Sequence, residues 1–146
     1  MTIAPLNLTK TEIAWLAGLF EGEAYFAIDD RSKSRYKVST SPGAPFLKIS
    51  MVDKDVIVKV AKLLKKQHFV PTRKTTAGKV VYTLHIGDRE SLSYLLPRLL
   101  PYMGKRRSIK VQQGIDAIAA WQEWLAAGGR SLMAKNGPKS QKEGKL

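Results

Sequence analysis

The sequence predicts an α+β domain: one antiparallel or mixed sheet covered by helices on one face, in the order helix, two strands, helix, two strands, helices. Three patterns predict it. Residues 9–23 carry apolar side chains at helical spacing; the stretches following Glu23, Pro45 and Gly78 alternate apolar and polar residues with a period of two. From Asp88 onward helical spacing returns, punctuated by Pro97, Pro101 and the Gly128-Gly129 pair.

Taken in order, Thr9 or Thr11 can cap the first helix, with Glu12 in its opening turn where the helix dipole favours an anion. Ile13, Leu16, Ala17 and Phe20 line one face, and Trp15, Gly18, Leu19 and Gly22 widen it until little polar surface is left, the mark of a buried helix. Gly18 and Gly22 leave a flat stripe for close approach by another backbone or by the sheet. In the first strand Phe26 and Ile28 face the core, and Tyr25, Ala27, Asp29 and Arg31 face away. A second strand is expected around Tyr36 to Thr40 and, after Ser-Pro-Gly-Ala-Pro at 41–45, around Phe46 to Met51, with Leu47 and Ile49 inward and Lys48 and Ser50 outward. Asp53 caps a helix through Lys66. A hairpin then pairs 69–75 with 79–86 around Ala77-Gly78, turning Tyr82, Leu84 and Ile86 in and Val81, Thr83 and His85 out. Asp88 opens a helix to about Leu100, stopped by Pro101, and a longer one runs from Lys105 to Ala127.

Residues 1–128 form one domain, and 129–146, rich in Lys, Ser, Gly, Gln and Asn, read as a basic disordered tail. The 146 residues include 25 basic and 12 acidic side chains, a net charge of +13 that favours a polyanionic partner. The acids are unevenly placed: none occurs from Arg31 to Val52, from Val56 to Gly87 or from Ser91 to Ile115. Such one-signed stretches suggest a basic face. No apolar run approaches the roughly 18 residues of a membrane span, and the N-terminus lacks the charged and apolar regions of a signal peptide, so an intracellular location is expected. Without cysteine there is neither a disulfide nor a thiolate zinc site. Any metal must be held by oxygen, which suits magnesium or calcium.

The uncovered face of the sheet carries Arg31, Lys33, Arg35, Lys37, Lys48, Arg73, Lys74 and Lys79 on or beside its strands and turns. A curved four-stranded sheet of this kind can lie along the DNA major groove, which displays a distinct donor and acceptor pattern for each base pair. Basic residues at strand ends would fix register on phosphates, and mid-strand Tyr25, Ala27, Asp29, Val81, Thr83 and His85 would face bases. Asp29 either accepts from a cytosine amino group or pairs with a neighbouring cation such as Arg31. His68 and His85 suit base or phosphate contact better than general-base chemistry.

Residues 16–24 read Leu-Ala-Gly-Leu-Phe-Glu-Gly-Glu-Ala, an apolar helix with small residues running into two carboxylates. An acidic pair at the end of an apolar run is costly unless a cation or a hydrogen-bond network neutralises it. This segment resembles the signature of the LAGLIDADG homing endonucleases. Leu16, Ala17, Gly18 and Leu19 repeat the opening letters, Phe20 takes the apolar fifth place, and Glu21, Gly22 and Glu23 follow as acidic, small, acidic. Ala24 stands where the family usually has glycine, and Glu23 where aspartate is commoner. The order of elements resembles the family more weakly, to about residue 125.

The resemblance implies an α-β-β-α-β-β-α fold with a DNA-binding saddle. A single motif implies a homodimer in which two motif helices meet through Trp15, Leu16, Gly18, Leu19, Glu21 and Gly22. It further implies a site-specific double-strand DNA endonuclease, encoded by a mobile intron or similar element, acting on near-palindromic duplex DNA and leaving 3′ overhangs. Glu23 is the catalytic carboxylate and, with a backbone carbonyl near Gly22, holds Mg2+, for which Ca2+ or Mn2+ can substitute in binding. Lys105 or Arg106 would stabilise charge at the scissile phosphate. A further position supporting catalysis falls near Met51, with Lys48, the candidate for it, and Ser50 beside it. Glu21 is expected to serve structure instead of metal. Relatives that act as RNA maturases or as DNA binders without cleavage supply the second reading, and a basic ribosome-associated protein a third that leaves the acidic helix end unexplained.

Overall fold

The computed structural model describes residues 5–30 and 42–129. Arg31, Lys33, Arg35 and Lys37, the strand expected around Tyr36 to Thr40, and residues 130–146 of the expected tail lie outside them.

Helix α1 spans Lys10–Glu23 and begins in a capping box: Thr9 Oγ1 accepts from the Glu12 N–H at 3.1 Å while Glu12 accepts from the Thr9 N–H at 2.8 Å. Its sequence runs directly into β1, Ala24–Asp29, because Ala24 already has extended dihedrals. β2, Ala44–Met51, pairs antiparallel with β1, and β3, Tyr82–Ile86, pairs antiparallel with β2. The sheet is therefore antiparallel, in the order β1-β2-β3. Helix α2, Lys54–Leu64, links β2 to β3; α3, Arg89–Leu99, a short 3-10 turn at Leu100–Tyr102, and α4, Lys105–Ala126, complete the chain of elements.

Two expectations about the strands are corrected. β2 starts at Ala44, so Pro45 lies within it; pairing with β3 stops at Leu47, and on that side the missing proline N–H deprives no neighbour of a partner. The second hairpin is only half formed. Among the described residues, its first arm touches the second at two isolated bridges, Phe69 with Thr83 and Lys74 with Val80, and the sheet has three strands instead of four. Pro71, between those bridges, has no N–H to give a ladder.

Strand register separates the two faces. Ala24, Phe26, Leu47, Ile49, Leu84 and Ile86 point to the helical layer and are all buried, joining Leu16 and Phe20 of α1, Ile57, Val60 and Leu64 of α2, Leu92, Leu95 and Leu99 of α3, and Val111 of α4. Phe20 meets Phe26 edge to face at 6.5 Å between centroids. Truncating one such leucine to alanine typically costs about 2–5 kcal/mol. Helix α4 approaches the core closely at Gly114, where a Cβ would come within 2.8 Å of a Leu96 methyl. The end of α2 is tied to the start of α3 by Asp88, which caps α3 at the Ser91 N–H and pairs with Lys66 Nζ at 2.6 Å. Burial alone would raise the Asp88 pKa, but the hydrogen bonds from Lys66 and Ser91 and the Lys66 charge together hold it below its ordinary value. No helix of the described residues is long and apolar enough to cross a membrane.

Candidate functional site

The C-terminal end of α1 leaves backbone carbonyls without partners inside the helix, and this chain fills them from 83 to 86 residues away. Arg107, in the first turn of α4, donates from Nε to the Glu21 carbonyl and from Nη1 to the Ala24 carbonyl. A cation at a helix C-terminus also meets the negative end of its dipole. The Glu21 carboxylate accepts from the Gly104 N–H and lies 3.2 Å from Arg107 Nε. Gly104 gives the carboxylate room to approach, since a Cβ there would stand 3.0 Å from Glu21 Oε1. Glu21 thus serves contacts inside its own chain.

Glu23 differs in every respect but charge. It is exposed, and no hydrogen bond or ion pair engages it among the described residues. Because Arg107 docks on α1, its neighbours Lys105 and Arg106 are brought to the same corner, both exposed. Helix α4 begins there with no acid in its own first turn; Glu21 answers its N-cap N–H and Arg107, and Lys105 and Arg106 add two further cations to the same helix start. Such an arrangement is unfavourable in isolation and favourable beside a phosphate.

The fit to a divalent cation follows from donor chemistry. Glu23 offers an unengaged carboxylate and Gly22, in the last helical turn, a carbonyl, both hard oxygen ligands of the kind magnesium prefers. Among the described residues no group of three or more His, Cys, Asp or Glu side chains is placed to hold a metal, so further ligands must come from outside this set.

The open side of α1 is the stripe Thr11, Ala14, Gly18 and Gly22, all exposed, and a Cβ built on either glycine meets nothing within 4 Å. Leu19 and Trp15 flank it half-buried, and Lys59 Nζ sits 4.1 Å above the Trp15 ring. Leu16, expected at a helix-to-helix interface, is instead fully buried in the chain's own core and presents no surface there.

On the outer face of the sheet Tyr25, Lys48 and His85 form one cross-strand row, with Ala27 and Phe46 in the next. These side chains, with Ile28, Asp29 and Asp30, line an open depression of about 420 Å³. Arg73, Lys74 and Lys79 are exposed around a turn in which Gly78 has φ +78°, closed by Lys79 N–H to Thr75 Oγ1 at 3.0 Å. Val81 and Thr83, expected to face a ligand, do not: both are buried, and Thr83, whose backbone pairs with Phe69 along the outer edge of β3, shares its hydroxyl with Ser50 at 2.8 Å.

Sequence reasoning did not assign the roles of Arg107 and Phe46. Phe46 alone left a signal, the strand parity it shares with Lys48.

A family model described as a LAGLIDADG-like domain matches residues 10–99. Among solved structures, a complex of the homing endonuclease I-CvuI with its target, in the presence of calcium, is 19% identical, with a TM-score of 0.53 over 75% of this chain and 67% of that one. Another I-CvuI complex, with an I-CreI target and magnesium, gives 0.57 at 19% identity over 79% and 70%. The target-bound LAGLIDADG homing endonuclease I-LtrWI gives 0.54 at 20% identity over 92% of this chain and 45% of that one. At these identities the likeness is one of fold. No curated protein matches the chain in sequence.

Proposed function

Because the chain belongs to the LAGLIDADG family, whose model spans residues 10–99, we propose that it is a site-specific, metal-dependent double-strand DNA endonuclease acting as a homodimer. The observation that carries this reading is Glu23: a solvent-facing carboxylate with no partner among the described residues, at the end of the motif helix, beside the basic start of α4.

Each residue takes a part that its position supports. The stripe through Gly18 and Gly22 admits a second copy of α1 at close range, which would set two Glu23 carboxylates side by side, one for each strand of DNA. Two-fold symmetry of this kind requires a near-palindromic target. Glu23 and the Gly22 carbonyl would hold the divalent cation, with phosphate oxygens completing its ligands. Once bound, the cation lowers the pKa of an attacking water and stabilises charge on the leaving 3′ oxygen. Lys105 and Arg106 offset the charge that gathers on the scissile phosphate. Lys48, on the same outer face as Tyr25, holds DNA in register, as do Arg73, Lys74 and Lys79. Arg107 and Glu21 keep the corner rigid and stay out of the chemistry.

The test is cleavage selection: the full chain is incubated with a randomised duplex library in magnesium, and cut ends are sequenced. The expected result is a near-palindromic site cut on both strands with short 3′ overhangs, abolished by EDTA, by a protein that sediments as a dimer. A protein that enriches one duplex from the same library by binding it in magnesium, yet yields no cut ends, is a binder, and the nuclease reading fails.

A further inference from the structure

The outer face of the sheet carries a feature that phosphate binding does not require. Three rings form a V across the three strands with Phe46 at its point: the Tyr25 and Phe46 centroids are 5.9 Å apart at a tilt of 58°, and Phe46 and His85 stack at 5.2 Å with an interplanar angle of 21°. Register explains the alignment. Phe46 lies opposite Ala27, and Tyr25 and His85 both lie opposite Lys48, so each outer ring is a diagonal neighbour of Phe46, within reach of an aromatic side chain. Gly87 leaves room beside the imidazole, since a Cβ there would stand 3.0 Å from its Cε1. Tyr25 remains 60% exposed.

We infer that this aromatic bar is a specificity element that reads the C5-methyl group of a thymine in each half-site; the inference rests on the DNA-cutting function proposed above. Carbon edges of Phe46, with the Ala27 methyl beside them, offer no hydrogen bond, so pressing them against guanine, cytosine or adenine would leave base donors or acceptors unpaired. Thymine alone presents an apolar group in the major groove. The stack holds the ring before binding, which lowers the ordering cost of the contact. The charge of the chain as a whole, +13, agrees with this occupant, and within the depression Lys48 stands with Asp29 and Asp30.

The experiment starts from the duplex that wild-type protein selects out of a randomised library. Replacing each selected thymine in turn with deoxyuridine removes only its methyl. At one symmetric position the swap weakens wild-type binding about fourfold per half-site, the value of one buried methyl group, and leaves the affinity of Phe46→Ser unchanged. The inference is overturned if wild type tolerates the swap at every position, a result that needs no variant, or if Phe46→Ser retains the same sensitivity. Tighter binding to single strands than to duplex, lost in Tyr25→Ser, would make the rings a stacking platform for unpaired bases and overturn it as well. Failure of wild type to select any sequence overturns the DNA-recognition reading itself, and the inference with it.

Discussion

Glu21 and Glu23 stand two residues apart at the end of one helix, and the structure uses them in opposite ways. Glu21 is engaged by the Gly104 N–H and by Arg107, and these contacts join the first turn of α4 to the last turn of α1. Glu23 has no such engagement among the described residues. A satisfied carboxylate stabilises the fold; an exposed one with no partner among the described residues adds little to stability and is available to a metal and a phosphate. The same division separates the two sides of α1, one filled by Leu16 and Phe20 and the other open at Gly18 and Gly22.

The contrast can be broken at several points. The largest expected effect is on chemistry: Glu23→Gln lowers magnesium-dependent cleavage of the selected duplex by about a hundredfold or more, while its unfolding free energy stays within about 0.5 kcal/mol of wild type. Arg107→Ala comes next, because it removes two charge-assisted hydrogen bonds to carbonyls and the partner of Glu21. It should destabilise by about 2–3 kcal/mol, read from urea titration. Glu21→Gln keeps an acceptor for Gly104 and loses only a partly exposed ion pair, so about 0.5–1 kcal/mol is expected by the same titration.

The smallest effect lies far from the motif, at Asp88. Its pKa is depressed in the folded chain, so its contribution is complete above the unfolded carboxylate value and is lost as pH falls through the folded one. Acidifying from about pH 5 to 3 should therefore narrow the stability gap between wild type and Asp88→Asn. A gap that widens on acidification would contradict the assignment.

Much of this was legible in the sequence, for identifiable reasons. The capping Thr9, the period of α2 and the alternation through Leu47, Lys48 and Ile49 are local patterns, and local patterns set local structure. The motif placed both carboxylates and assigned Glu21 to structure. Contacts across 83 to 86 residues were not legible: Lys105, Arg106 and Arg107 are adjacent cations, and only the fold shows that the third turns inward. Alternation also put Thr83 and Val81 on the outer face, as the register has Thr83, but it could not show that both side chains are buried. Leu16 was assigned to two surfaces by a helix apolar nearly all round, and packing chose the core.

The central claim is that the second carboxylate of the motif, and not the first, performs the chemistry. Single-turnover cleavage of one saturating duplex in magnesium, with Glu21→Gln and Glu23→Gln measured side by side below their unfolding temperatures, tests it directly. The account predicts near wild-type cutting by Glu21→Gln and none detectable by Glu23→Gln while both bind the duplex. Cutting by Glu23→Gln at the wild-type rate would contradict it.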